Sequence, residues 1–246
     1  IRAVAHLAGG RPAVVVPGNH DRYCKGPGDG RPAAELVATM REEAARLGER
    51  TSNRVVILEG GERASVAGIT FVGATLWTDW SLAGLWRPEL TAPAATAAAM
   101  ASVTHPSTGS REYHGAIIRE GGEIWSPRDA FAQHRREREA MHRALTEAAA
   151  GAEPVVAVTH HAPLTSILEP YRHHPGVPWW IPAFYASTLL PDLPDDIRPD
   201  FWVSGHFHAA HDEQVGRTRW VANPVAAADF NPERIITIPS RSTGSG

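Results

Sequence analysis

Hydrophobic and polar positions divide the chain into short apolar runs and longer amphipathic stretches. Ala13–Val16, Pro154–Thr159 and Phe201–Val203 are continuously apolar or nearly so, and each is short, which suits strands buried on both faces. Arg54–Leu58, Ala64–Val66 and Ile69–Gly73 read as three more strands, with turns at Gly60-Gly61 and Ala67-Gly68. Glu213–Val215 and Thr218–Ala222 pair as a hairpin around Gly216-Arg217, and Arg234–Ile238 reads as a last strand.

The helical periods fall between these runs. Ile1–Leu7 reads as the end of a helix stopped at Gly9-Gly10. Pro32–Leu47 carries Leu36, Val37, Met40, Ala44 and Leu47 on one side, and Ala92–Ala101 is alanine-rich and helical. Ser126-Pro127 opens a further helix that runs to about Ala150, with Ser126 as cap, Pro127 in the first helical position and Asp129 in the first turn. Pro163–Pro182 reads as a long loop and Ala183–Leu190 as a short helix. Gly26–Gly30 is a turn-rich loop, and the tail Ser240–Gly246 reads as unstructured. With no internal repeat or linker, residues 1–240 form one domain, and the mixture of strands, helices and hairpins predicts an α/β sandwich.

Composition narrows the function classes. Across 246 residues, 43% are hydrophobic and 21% charged, an ordinary soluble balance. A net charge of -3 gives no general attraction for nucleic acid or anionic membrane. No apolar run is long enough to span a bilayer and no signal peptide is visible, so the expected setting is the cytoplasm. Lys25 is the sole lysine. Cys24 is the sole cysteine, which excludes an internal disulfide and a cysteine-based zinc site.

The 13 histidines change the picture because several are grouped, and the groups follow strands. Three buried-type strands end in Asn19-His20-Asp21, His160-His161 and His206-Phe207-His208. Loops at the carboxyl ends of strands are where open α/β sheets bind ligands. Imidazole nitrogens with an amide oxygen suit Zn, Mn or Fe rather than Ca.

Those segments resemble a known family. Gly18-Asn19-His20-Asp21, Thr159-His160-His161-Ala162-Pro163 and Gly205-His206-Phe207-His208 are similar to the third, fourth and fifth signature motifs of the calcineurin-like metallophosphoesterases. Thr75-Leu76-Trp77-Thr78-Asp79 resembles a bacterial branch of the family, and the likeness extends loosely from Ile1 to about Ile238. The resemblance implies a four-layer α/β/β/α sandwich of two mixed sheets with its metal site at strand ends. It implies two divalent or trivalent ions (Mn, Fe or Zn), a phosphomonoester or phosphodiester substrate, and hydrolysis by a hydroxide that both ions activate. Carried over residue by residue, it makes Asn19, His160 and His206 ligands of the second ion and His208 a ligand of the first. His20 would be the acid that protonates the leaving oxygen, with Asp21 orienting its neighbours. His160 and His161 compete for one ligand role, with His160 preferred because it comes first off the strand.

The family's first two motifs, Asp-x-His and Gly-Asp-x-x-Asp, do not occur before Asn19. The expectation is therefore a catalytic domain lacking its N-terminal βαβ portion, with weak metal binding and little or no catalysis. Asp212, Glu213 and Asp229 are acidic, but nothing in the sequence brings them to the lost positions.

Beyond the motifs, the loop Glu169–Ile181 is a candidate substrate lid in which Arg172 or His173 meets phosphate. Packing is the competing reading of that loop. Tyr113 and His114 sit where proteins of the bacterial branch carry a polar segment near the site, but packing is the favoured reading for them and for Trp77, Trp80, Trp86 and Trp125. Asn223-Pro224 reads as a structural turn and Cys24 as a bystander. Two further functions stay open: a non-catalytic binding protein of the same fold, and a mononuclear hydrolase built on Asn19, His160 and His206.

Overall fold

The computed structural model describes residues 1–24, 29–50, 54–225 and 230–239. Lys25, most of the Gly26–Gly30 loop, Asp229 and the tail Ser240–Gly246 lie outside the described residues.

Two sheets organise the chain. The smaller pairs β1 (Ala13–Val15) with β2 (Val55–Ile57) in parallel. The larger contains β3 (Glu62–Val66), β4 (Ile69–Ala74), β5 (Val155–Thr159), β6 (Phe201–Ser204), β7 (His211–Val215) and β8 (Thr218–Ala222). Its order is β3-β4-β5-β6-β8-β7, with β4, β5, β6 and β8 parallel and antiparallel hairpins at both edges. This is an α/β fold of two sheets, of which the larger is mixed and the smaller is a parallel pair.

Helices cover the sheets. α1 (Arg2–Ala8) lies against β1, and α2 (Ala33–Arg50) against β2. α3 (Ala92–Val103) follows, and α4 (Pro127–Ala149) packs on β3, β4 and β5. The opening of α4 is as the sequence implies: the Ser126 side chain accepts from the Asp129 backbone N–H, and the Asp129 carboxylate accepts from the Ser126 N–H at 2.9 Å. Such a box satisfies two amides that the first helical turn leaves without partners.

The two sheets meet where β4 carries Gly73. A Cβ at that position would lie 2.6 Å from the Leu58 Cβ and 2.9 Å from Val16, so glycine permits the close approach. Just beyond, the Thr75 hydroxyl donates to the Pro17 carbonyl at 2.8 Å and accepts from the buried Arg22 guanidinium at 2.9 Å. These contacts join the end of β4 to the loop after β1.

Two sequence expectations need correction. Residues 234–238 form no strand, because Ile235 is 88% exposed and Arg234 turns its guanidinium to Asp212 on β7. The helix expected over Ala183–Leu190 is broken into α5 (Ile181–Tyr185) and α6 (Leu189–Asp192). Between them Ala186 bridges to Ala162, and the Ser187 N–H donates to the Ala162 carbonyl at 3.0 Å. Pairing with a distant segment overrides the continuous apolar pattern. The expected loop before α5 contains a 3-10 turn at Ser166–Tyr171.

Candidate functional site

Register places the site. Ala74, Thr159 and Ser204 end their strands side by side, so the residues that follow β5 and β6 leave the sheet together. The Gly205 N–H donates to the His160 carbonyl at 3.1 Å, and the backbone then turns sharply, with His206 at φ 61°. An L-residue held in the left-handed region is sparsely populated and carries strain.

From the other sheet, the loop after β1 delivers Gly18 and Asn19. The Asp21 carboxylate accepts from the Gly18 N–H at 2.8 Å, tightening the loop into a short 3-10 turn at His20–Arg22. Gly18 has no room for a side chain, because a Cβ there would lie 2.6 Å from the His160 ring.

Three donor atoms converge. His160 Nε2 lies 2.7 Å from Asn19 Oδ1 and 3.0 Å from His206 Nδ1. Burial, followed by the neighbouring histidine rings, holds the pKa of both His160 and His206 well below the ordinary imidazole value. The rings are therefore neutral at neutral pH, the form in which imidazole binds a metal. His206 Nε2 is enclosed and has no hydrogen-bond partner among the described residues. His161 turns elsewhere: its Nδ1 lies 3.1 Å from the Thr75 carbonyl, and burial pushes its pKa down to about 4.

This cluster forms one wall of a cleft of about 500 Å³. His20 and His208 are exposed along it, and Trp180, Phe184 and Tyr185 form an aromatic side. Its other side is the segment Gly109–Glu112, directly before Tyr113 and His114, for which the sequence favoured packing over a place near the site. Arg111 is exposed there, with its guanidinium 5.9 Å from the Tyr23 ring centre. Glu112 is buried beside it and accepts from the Asn19 side-chain amide, the Tyr23 hydroxyl (2.6 Å) and the Ser110 hydroxyl. Burial, then the hydrogen bond to Glu112, raises the Tyr23 pKa, so the phenol remains a donor. Arg172 and His173 are exposed and are not among the residues lining this cleft; Arg172 faces Glu169 at 3.8 Å.

Among the described residues, no group of three or more His, Cys, Asp or Glu side chains is arranged to hold a metal ion. The trio of Asn19, His160 and His206 takes its third donor from an amide, and as a donor set it fits one transition-metal ion. Among the described residues a second ion is not matched: His208 reaches the cleft, but no described carboxylate stands ready to bridge two ions.

No protein-family model matches the chain, and no curated protein matches it by sequence. Among solved structures, phosphopantetheinyl hydrolase (PptH) from Mycobacterium tuberculosis is similar with a TM-score of 0.57 and 17% identity, over 87% of this chain and 69% of that one. The two proteins share a fold. At that identity the likeness concerns architecture, and the strand-end cleft is where such an architecture gathers its loops.

Proposed function

We propose that this chain is a metal-dependent phosphoesterase domain of the calcineurin-like kind, its sheets and helices layered as an α/β/β/α sandwich. The observation that carries the reading is the convergence of Asn19 Oδ1 and His206 Nδ1 on His160 Nε2, at 2.7 and 3.0 Å, at the ends of three strands. Fold likeness to a solved hydrolase supports it, as does the motif resemblance. That hydrolase is named for a phosphopantetheinyl group, and the class proposed for this chain's substrate is a phosphoester.

Asn19, His160 and His206 would hold the ion, which supplies Lewis-acid chemistry to a phosphoryl group. The remaining steps belong to the chain. Arg111, exposed on the opposite wall, would meet phosphate oxygens with a planar, permanently charged donor fork. A water oxygen would form the new bond to phosphorus as the bond to the leaving oxygen breaks, and His20, exposed at the cleft with its ring centre 4.5 Å from that of Tyr23, would give a proton to that leaving oxygen. Trp180 and Tyr185 would exclude water from one side and cover the leaving group. The described residues do not match a second ion.

The test is metal analysis of the purified protein, with turnover of p-nitrophenyl phosphate and its bis-ester. Metal-stimulated hydrolysis that His206→Ala abolishes supports the proposal. Binding of metal without turnover of either ester points to a catalytic domain that lacks its N-terminal portion or to a non-catalytic protein of this fold, and the same assay on a chain carrying the first two motifs separates the two. Turnover that survives His206→Ala and chelation overturns the site.

A further inference from the structure

We infer that Glu112 is a positioning residue that sets the polarity of the metal site by fixing which end of the Asn19 amide faces it. The inference rests on the functional reading above and adds a residue to it. An asparagine amide is symmetric in shape and opposite in chemistry: one end accepts, the other only donates. At Asn19 the choice is made from behind. Nδ2 donates to the Glu112 carboxylate, which leaves Oδ1 facing His160 Nε2 at 2.7 Å. Turned over, the amide would present N–H groups to an ion and repel it.

The carboxylate is suited to this. Glu112 is 1% exposed, and it accepts from Asn19, Tyr23 and Ser110. Hydrogen bonds to a buried charge are stronger than neutral ones, and in a low-dielectric site they hold orientation firmly. The segment is anchored on both sides. Tyr113 is buried against Trp80 and Phe184, with ring centres 6.1 and 6.2 Å away. At Gly109 a Cβ would lie 2.2 Å from the Val103 carbonyl oxygen, so glycine lets the chain turn there and bring Ser110 to Glu112 into the cleft. Of the two carboxylates among the described residues that line the cleft, Asp21 is turned to the Gly18 amide, so Glu112 also places negative charge behind a neutral ligand trio. Partners that orient metal ligands in this way typically alter metal affinity by about 10–100-fold.

The experiment has a metal-free arm and a zinc arm. In ¹⁵N spectra of the metal-free protein, the Asn19 side-chain amide should be shifted and protected from exchange, and Glu112→Ala should return it to solvent-like values. In calorimetric zinc titration, Glu112→Ala should weaken binding by about 10–100-fold. A polarity swap keeps the test independent of simple damage. Asn19→Asp alone sets two carboxylates face to face and should lose most zinc affinity. Adding Glu112→Gln supplies an N–H donor to the new carboxylate and should recover binding to within about tenfold of the parent. Unchanged Asn19 amide signals in Glu112→Ala would overturn the inference. So would a folded double variant that binds zinc no better than Asn19→Asp alone. If the parent binds no zinc, the functional reading fails, whereas the amide spectra still decide the role of Glu112.

Discussion

His160 and His206 face each other nitrogen to nitrogen, Nε2 to Nδ1 at 3.0 Å, although 46 positions separate them in the chain. Two neutral imidazoles in that arrangement share at most one proton between the facing atoms, and His206 Nε2 beyond them is enclosed without a partner among the described residues. The pair therefore acts as a unit. Replacing either by alanine should weaken zinc binding by at least about tenfold, while replacing both should cost much less than the sum. A coupling of roughly 0.5–3 kcal/mol in a double-mutant cycle is the expected signature. Strict additivity of the two losses would mean that the rings do not serve one ion.

Gly18 has a role that its neighbours in the loop do not. Gly18→Ala would drive a methyl group into the His160 ring, which must rotate away because the obstructing atoms belong to a side chain. Overpacking of this kind costs about 1–3 kcal/mol. The expected outcome is a folded protein with a modestly lowered melting temperature and zinc affinity reduced at least about tenfold. Full affinity in the variant would show that His160 does not need its present position.

Thr159 closes β5 with a relay: its hydroxyl donates to the His161 carbonyl at 2.8 Å and accepts from the Trp202 indole N–H at 2.9 Å. Thr159→Val keeps the shape and leaves a fully buried indole N–H unpaired. Denaturant unfolding should show a loss of about 1–3 kcal/mol. A neutral result would mean that the indole finds another acceptor.

The pH dependence of stability has a defined contributor in α4. His134 is fully buried with Nδ1 turned to the Trp77 carbonyl, and burial lowers its pKa, while Asp79, 3.8 Å from Nε2, acts in the opposite direction and Arg138 adds to the lowering. A depressed folded value means that the unfolded chain takes up the proton more readily. The stability from neutral His134 is therefore complete above the unfolded pKa of about 6.5 and is lost as pH falls below it. One turn on, Glu137 accepts from the Trp77 N–H at 3.2 Å, and burial raises its pKa, which has the opposite sign. Its contribution is complete below about pH 4.5 and is lost as pH rises through the folded value. Urea midpoints measured from pH 7 to pH 5 should fall less steeply for His134→Gln than for the parent. Equal slopes would exclude His134 as a contributor.

Much of the frame was legible in the sequence because it depends on local pattern. The apolar runs of β1, β5 and β6, the hairpin of β7 and β8, and the Ser126 cap of α4 each follow from neighbouring residues. The motif clusters were legible too, as polar residues at the ends of buried strands. The break between α5 and α6 was not, because it arises from pairing of Ala186 with Ala162, outside any local window. The Arg234–Ile238 strand failed for a related reason: strand propensity without a partner edge makes no sheet.

The sequence by itself determined which chemistry was possible here: neutral nitrogen and amide donors, spaced to follow three strands. Only the tertiary structure decided which of those donors meet. The parallel register of β5 and β6 sets His160 beside His206, the close packing at Gly73 brings Asn19 across from the other sheet, and the turn at Gly109 carries Glu112 in behind it. Asn19 and Glu112 are 93 positions apart, and glutamate in a short 3-10 segment has no local signature of function. Its meaning comes from burial and from the three donors that surround it, which only the packed chain supplies.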